Sequence, residues 1–207
     1  MIKKKGVLLV ISGPSGAGKG TVCKELLERN PEFKLSVSAT TRAPREGEVD
    51  GESYFFLTKE KFSEMIGQGG FLEYAQIYSN FYGTPKGPVM KYLEEGSDVI
   101  LEIEMQGARQ VKEMYPEAVL IFVLPPSLEE LRNRLTTRGT ETEEQVNERL
   151  STSLEEIKQV KDYNYFIFNE NNKTTESAKI IEDIIVAEKN KASRYEKAII
   201  KKFEEEL

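Results

Sequence analysis

The chain of 207 residues has no histidine, no tryptophan and a single cysteine. It also lacks any apolar run near the ~20 residues that a membrane-spanning helix needs. Each absence excludes something. Without histidine the commonest general base and the commonest metal ligand are both missing, which removes Ser-His chemistry and zinc hydrolysis. Any chemistry must run on lysine, arginine and carboxylates. One cysteine cannot close an internal disulfide and fits a reducing compartment. Cys23 falls on the apolar side of a predicted helix and reads as a small buried hydrophobe. Met1-Ile2-Lys3-Lys4-Lys5 leads directly into a strand pattern rather than a signal-peptide core, so a cytoplasmic protein with no membrane partner is expected. Basic residues are not in excess: 29 Lys and Arg against 35 Asp and Glu give a net charge of −6. That balance argues against nucleic-acid binding, and any cations that hold phosphate must form local clusters.

What is present begins with Gly13-Pro14-Ser15-Gly16-Ala17-Gly18-Lys19-Gly20-Thr21. An apolar run at 7–11 precedes it. A helical pattern follows, with Val22, Leu26 and Leu27 inward and Lys24, Glu25 and Glu28 outward. Strand, glycine loop, lysine and helix in this order make a phosphate-binding loop: the glycines let consecutive N–H groups converge on one anion, the helix N-terminus adds partial positive charge, and Lys19 reaches the outer phosphates. All nine residues are therefore candidate ATP ligands. The hydroxyl that should follow the lysine and meet Mg²⁺ is absent, because that position is Gly20 and the hydroxyl is displaced to Thr21. Either Thr21 is the metal ligand or the metal keeps one more water.

Further continuous apolar runs lie at 98–103, 118–124 and 165–168, with a shorter candidate at 35–38 and helical patterns between them. Continuous rather than alternating hydrophobicity means burial on both faces, hence a parallel sheet covered by helices. The expected fold class is α/β: a phosphate-loop, parallel five-stranded sheet flanked by helices, carrying an inserted α+β nucleoside-monophosphate-binding region and a helical lid. The expected division is 1–38, 91–125 and 163–207 for the core, 39–90 for the insertion, and 126–162 for the lid with its adjoining helices. Within the insertion, short strands at 54–56, 71–78 and 81–82 are separated by turns at Asp50-Gly51 and Ser79-Asn80, with a helix over 58–67. Ser127-Leu128-Glu129-Glu130 and Thr142-Glu143-Glu144-Gln145 open two helices that carry Arg132, Arg134, Arg138 and Arg149 around Gly139. That pair reads as a mobile flap over a polyanion or as a solvated charged hairpin. The stretch 175–207 reads as one long helix.

A second phosphate site is suggested by Arg42 and Arg45, three residues apart after a short strand, with Tyr54, Glu73, Tyr82 and Thr84 further on. An arginine pair with a tyrosine hydroxyl can cradle a terminal phosphate. The Glu73 carboxylate can accept both N1–H and the exocyclic amine of guanine, and Thr84 can donate to its carbonyl oxygen. Adenine offers no such pair of donors, so it would leave the carboxylate unmatched.

The sequence closely resembles the guanylate kinases over residues 7–190. The resemblance is carried by 13–21, 38–45 with Gly47-Glu48, Asp50-Gly51-Glu52-Ser53-Tyr54, Phe71-Leu72-Glu73-Tyr74-Ala75, Tyr82-Gly83-Thr84-Pro85, Glu102-Ile103-Glu104-Met105-Gln106-Gly107-Ala108, Pro125-Pro126-Ser127, Arg138-Gly139-Thr140-Glu141 and Asn169. It implies ATP-dependent phosphorylation of GMP, with dGMP as a further acceptor, by a monomer or homodimer using Mg²⁺. By the family's pattern Ser38, Arg42, Arg45, Tyr54 and Tyr82 hold the GMP phosphate, while Glu73, Thr84 and Glu104 read guanine. Lys19, Arg134, Arg138 and Arg149, together with Arg42, form the catalytic set, and Asn169 lies beside the ATP adenine or ribose. Two positions depart from the pattern: Gly20 stands where Ser or Thr is commonest, and Glu104 where Asp is frequent. Two other readings are a kinase of the same build for a different monophosphate or phosphorylated sugar, and a module that holds phosphorylated peptides without catalysis. Glu73 with Thr84 argues against the first, and the loop lysine with the lid arginines against the second.

Overall fold

In the computed structural model, residues 4–137 and 142–206 are described. Five strands form the main sheet: β1 (Leu8–Ser12), β2 (Lys34–Leu35), and, after an inserted second sheet, β7 (Val99–Glu102), β8 (Val119–Leu124) and β9 (Tyr165–Phe168). Their order is β2-β7-β1-β8-β9 and every pairing is parallel. Both faces are covered, as continuous hydrophobicity requires. Leu9 and Ile11 pack with Val22 and Leu26 of α1 (Lys19–Arg29) and with Ile181 and Ile185 of α7 (Thr174–Glu188). Leu8 and Val10 face the other way, onto Val89 and Leu93 of α3 (Lys86–Glu95) and Ala108 and Val111 of α4 (Met105–Met114). The period of two along a strand sends its side chains alternately to these two cores.

The fifth strand is shorter than its sequence suggests. Only Lys34 and Leu35 pair with β7, and Ser36 adds one more bond to the Ile100 carbonyl. The chain then leaves, because the Ser38 carbonyl accepts from Phe55 N–H in the second sheet and Ala39–Thr40 is already β3. Residues 36–38 are thus a crossing between sheets, not a strand end.

The second sheet has the order β4-β3-β6-β5, with β4 (Phe55–Phe56), β5 (Phe71–Ile77) and β6 (Asn80–Pro85). β3 and β4 are parallel and the remaining pairs antiparallel. The hairpin turn is Tyr78-Ser79, one residue earlier than expected, with Tyr78 at φ 53°. α2 (Lys59–Gly67) is capped by the Thr58 hydroxyl, and its Phe62 stacks on Phe71 and Phe81.

α5 (Leu128–Thr137) starts with the Ser127 hydroxyl accepting from Glu130 N–H. α6 (Glu143–Ile157) starts with a reciprocal capping box between Thr142 and Gln145 and continues as a 3₁₀ turn to Asp162. Leu131 and Leu135 of α5 meet Val146 and Leu150 of α6. The expected long C-terminal helix is broken: α7 ends at Glu188, and α8 (Glu196–Glu204) begins after a connection that includes a 3₁₀ turn at Ala192–Arg194. Side chains in that segment compete with helix continuation. Asn190 donates back to the Val186 carbonyl, Lys189 reaches the buried Asp98, and Arg194 donates to the Gly6 carbonyl. No helix among the described residues is long and apolar enough to cross a membrane.

Candidate active site

The glycine loop leaves the central strand β1 and enters α1. Gly18 sits at φ 90°, and a Cβ there would lie 2.2 Å from Asn169 Nδ2. Both conformation and space therefore demand glycine. Lys19 is held against the loop, its Nζ donating to the carbonyls of Gly13 at 2.7 Å and Pro14 at 3.5 Å and lying 3.9 Å from Glu104 Oε1. The loop is tied from outside as well. The Ala17 carbonyl accepts from Asn169 Nδ2 at 3.0 Å and Arg134 Nη1 at 3.2 Å, and Arg149 Nη2 donates to the Ser15 hydroxyl.

Arg134 is aimed by several partners. Its Nε donates to Glu130 at 2.9 Å, and its Nη2 donates to the Asn169 carbonyl and to Asn171 Oδ1, each at 2.8 Å. Hydrogen bonds from Asn171 and Arg134 lower the Glu130 pKa and keep it ionised. Asn169 is 5% exposed, and its Oδ1 is buried without a partner among the described residues. Buried acceptors are normally satisfied, so this oxygen is available to a donor. Arg138 lies outside the described residues.

On the second sheet, Arg42 forms a two-point ion pair with Glu48, at 2.9 and 2.8 Å. Its guanidinium lies 5.4 Å from the Tyr54 ring centre, and the Tyr54 and Tyr82 rings are 6.2 Å apart. Glu48 also accepts from Arg45 N–H at 2.7 Å. These bonds, Arg42 foremost, lower its pKa to about 2. Ser38, half-buried, precedes β3, and the Arg45 side chain is exposed. Glu48 is the residue that site reasoning missed here. An acid within the same short segment as two arginines is its signal.

Deeper in, the Thr84 hydroxyl donates to Glu73 Oε1 at 2.7 Å. Glu73 is 8% exposed, and a Cβ on Gly107 would lie 2.9 Å from its Oε2. Burial raises the Glu73 pKa, and the bonds from Thr84 pull it back. Thr84 has one hydroxyl proton and gives it to Glu73, so turning toward a guanine carbonyl would require the hydroxyl to rotate.

Glu104 opens α4, exposed beside Lys19, and Glu102 ends β7. Glu102 is the second residue missed, although it lies at the carboxyl end of a buried parallel strand, where ligand-binding groups collect. Its Oε1 lies 3.4 Å from where a Cβ on Gly20 would sit. Partial removal from water raises its pKa, Lys19 lowers it and Glu104 raises it further. Thr21 is exposed in the first turn of α1, while Cys23 is buried and its thiol is raised far above the ordinary value, first by burial and then by Glu102. Among the described residues no group of three or more His, Cys, Asp or Glu is placed to hold a metal by itself.

A parallel α/β sheet whose central strand runs through a glycine loop into a helix, with two arginines bonded to that loop, defines a phosphate-loop nucleotide-binding protein. Comparison with known proteins narrows the class. A family profile described as guanylate kinase matches residues 5–188. The chain is 69% identical over 207 residues, all of both chains, to the guanylate kinase of Clostridioides difficile strain 630. It is 53% identical over 206 residues, 100% of this chain and 99% of the other, to that of Caldanaerobacter subterraneus subsp. tengcongensis. A crystal structure of guanylate kinase from Anaplasma phagocytophilum superposes with a TM-score of 0.69 at 36% identity, covering 92% of this chain and 90% of that one. The chain belongs to the guanylate kinase family.

Proposed function

We propose that the protein transfers the γ-phosphoryl group of ATP to GMP, and to dGMP, by direct in-line displacement. The observation that carries the reading is the buried Glu73–Thr84 pair lying next in the fold to the Arg42–Tyr54–Tyr82 group, on a core whose loop holds Lys19. Family membership supports the same reaction.

In this reading the loop 13–21 and Asn169 take ATP, the buried Asn169 Oδ1, unpartnered among the described residues, suiting the adenine amine. Ser38, Arg42, Arg45, Tyr54 and Tyr82 hold the GMP phosphate. Glu73 accepts from the guanine N1–H and amine, oriented by Thr84, with Glu104 at the edge of the base. Glu48 holds Arg42 over the Tyr54 ring until the acceptor phosphate competes for the same two-point geometry. The division into core, insertion at 39–90 and lid at 126–162 follows these roles. All the residues named belong to one chain, acting as a monomer or homodimer in the cytoplasm.

The acceptor is already an oxyanion, so no general base is needed, in keeping with a chain without histidine. Catalysis is then positioning and charge neutralisation. Lys19, Arg134, Arg138 and Arg149 offset charge moving onto the leaving oxygen, and Arg42 holds the acceptor in line. ATP-using kinases generally need a divalent metal, and Mg²⁺ is the cation proposed here. The donor chemistry fits it: Thr21, exposed in the first turn of α1, and Glu102, whose carboxylate lies beside Gly20, offer oxygen donors, and the only thiol is buried. With so few protein donors, Mg²⁺ would be held largely by substrate phosphates, neutralising the β- and γ-oxygens.

ATP-dependent turnover across GMP, dGMP, AMP, UMP and CMP tests the proposal. GMP is expected to lead by orders of magnitude, and equal rates with AMP would refute the base-reading role of Glu73. Lys19→Met should stay folded and lose activity by about 10²-fold or more; near-normal turnover would sink the loop assignment.

A further inference from the structure

Arg134 stands where three segments meet: helix α5, the phosphate loop and the turn that follows β9. A guanidinium carries five N–H donors in one rigid plane. Four of them are committed. Nε donates to Glu130, one turn back on the same helix, at 2.9 Å, and Nη1 donates to the Ala17 carbonyl at 3.2 Å. Nη2 donates to both the Asn169 carbonyl and Asn171 Oδ1, each at 2.8 Å. The fifth, on Nη1, is left over among the described residues, and that nitrogen lies 3.8 Å from where a Cβ on Gly18 would sit. Asn171 reaches Arg134 from a turn that closes by other means. Lys173 N–H donates to the Glu170 carbonyl at 3.2 Å, the Lys173 ammonium pairs with the Glu170 carboxylate at 2.7 Å, and Asn172 takes the left-handed conformation, φ 59°, that asparagine tolerates. None of these bonds uses the exposed Asn171 side chain, whose oxygen accepts from Arg134 instead.

We infer that Asn171 is a positioning residue for the phosphoryl transfer: with the Asn169 carbonyl it fixes Nη2 of Arg134, so that the guanidinium plane cannot turn and its uncommitted Nη1 hydrogen stays beside the phosphate loop. The inference rests on reading Arg134 as a cation that offsets charge in the transfer. Glu130 belongs to the same helix as Arg134, and the Ala17 and Asn169 anchors are backbone carbonyls. Asn171 is therefore, among the described residues, the one side chain that ties this guanidinium to a segment outside its own helix. Without its oxygen, Nη2 keeps a single partner and the plane can pivot about that bond, which moves Nη1 away from the loop. Misplacing a charge-stabilising group by about an ångström can slow a reaction about 10²-fold. Three anchors remain here, so the displacement and the loss are smaller.

The test is steady-state kinetics on the full chain, with ATP and GMP varied in turn and folding checked by thermal melts, for Asn171→Ala, Asn171→Asp, Arg134→Ala and the double variant Asn171→Ala with Arg134→Ala. Asn171→Ala is expected to lower kcat about three- to tenfold with KM for GMP unchanged, because the lost bond lies on the donor side of the site. Asn171→Asp keeps an oxygen at the same reach and should bring kcat back to within about twofold of the unsubstituted protein. In the double variant the loss of Asn171 should add nothing to the loss from Arg134→Ala, since the group that it positions is gone. Unchanged kcat in Asn171→Ala beside an impaired Arg134→Ala overturns the inference alone. A fall that Asn171→Asp does not restore overturns it as well, and so do losses that multiply in the double variant. Full turnover in Arg134→Ala sinks the charge-offsetting reading and the inference together.

Discussion

Glu73 is under opposed demands, since a carboxylate is the group that guanine's two donors call for, yet it is buried at 8% exposure with one oxygen bonded by Thr84. Burial raises its pKa. Between its ordinary and its raised value the folded protein binds more protons than the unfolded chain, so stability falls as pH rises through that window. Glu73→Gln should therefore raise the thermal midpoint at neutral pH, with the gain vanishing in acid where both side chains are neutral. The same variant should lose about 10²-fold in kcat/KM for GMP, since the amide nitrogen confronts a donor; an unchanged kcat/KM would remove Glu73 from base recognition. Glu48 behaves oppositely. Its pKa, lowered to about 2 by Arg42 and Arg45, means that its contribution is fully present above the ordinary carboxylate range and is lost only as pH falls toward that value. The donor and acceptor chemistry of Glu73 and Thr84 is legible in the sequence. Their mutual bond is not, because it depends on the irregular β5–β6 register that sets Glu73 opposite Thr84.

Elements with strong local signals match their sequence, and those set by partners do not. The Thr142–Gln145 capping box closes as its spacing requires, and both hydrogen bonds are formed. The cap is exposed, and it begins the helix that carries Arg149. Thr142→Ala should cost about 1 kcal/mol at this terminus and speed hydrogen exchange of the first-turn amides of α6 by about fivefold, while the β1 and β8 amides stay unchanged. Equal protection in the two proteins would show that packing of Val146 alone holds the helix start. The fifth strand and the C-terminal helix had weaker grounds. Apolar periodicity ran through both, but the Ser38 carbonyl is claimed by another sheet and Asn190 bonds back to the helix end, and neither partner is visible in a local window. Ile180 and Phe203, apolar residues of that pattern, are 47% and 59% exposed.

At the scale of the whole molecule, the run of apolar strands makes the parallel core readable from the sequence, while the seating of the second sheet on it is not. That seating runs through β5 and α4, where Gln110 donates to the Tyr74 carbonyl and accepts from Tyr74 N–H, each at 3.1 Å. A single amide side chain thus grips the strand residue next to Glu73, while Gly107 on the same helix leaves room for the carboxylate itself. The Glu73 carboxylate, proposed to read guanine, is consequently positioned by the core rather than by its own sheet alone. Gln110→Ala removes both bonds and should lower stability by about 1–2 kcal/mol. It should raise KM for GMP about three- to tenfold with KM for ATP unchanged, because the phosphate loop, Arg134 and Arg149 form contacts independent of Tyr74. Steady-state kinetics with each substrate varied in turn checks this. Equal rises in both constants would mean that Gln110 supports the fold at large, whereas a rise confined to GMP makes the β5–α4 contact the joint through which the core aims the acceptor site.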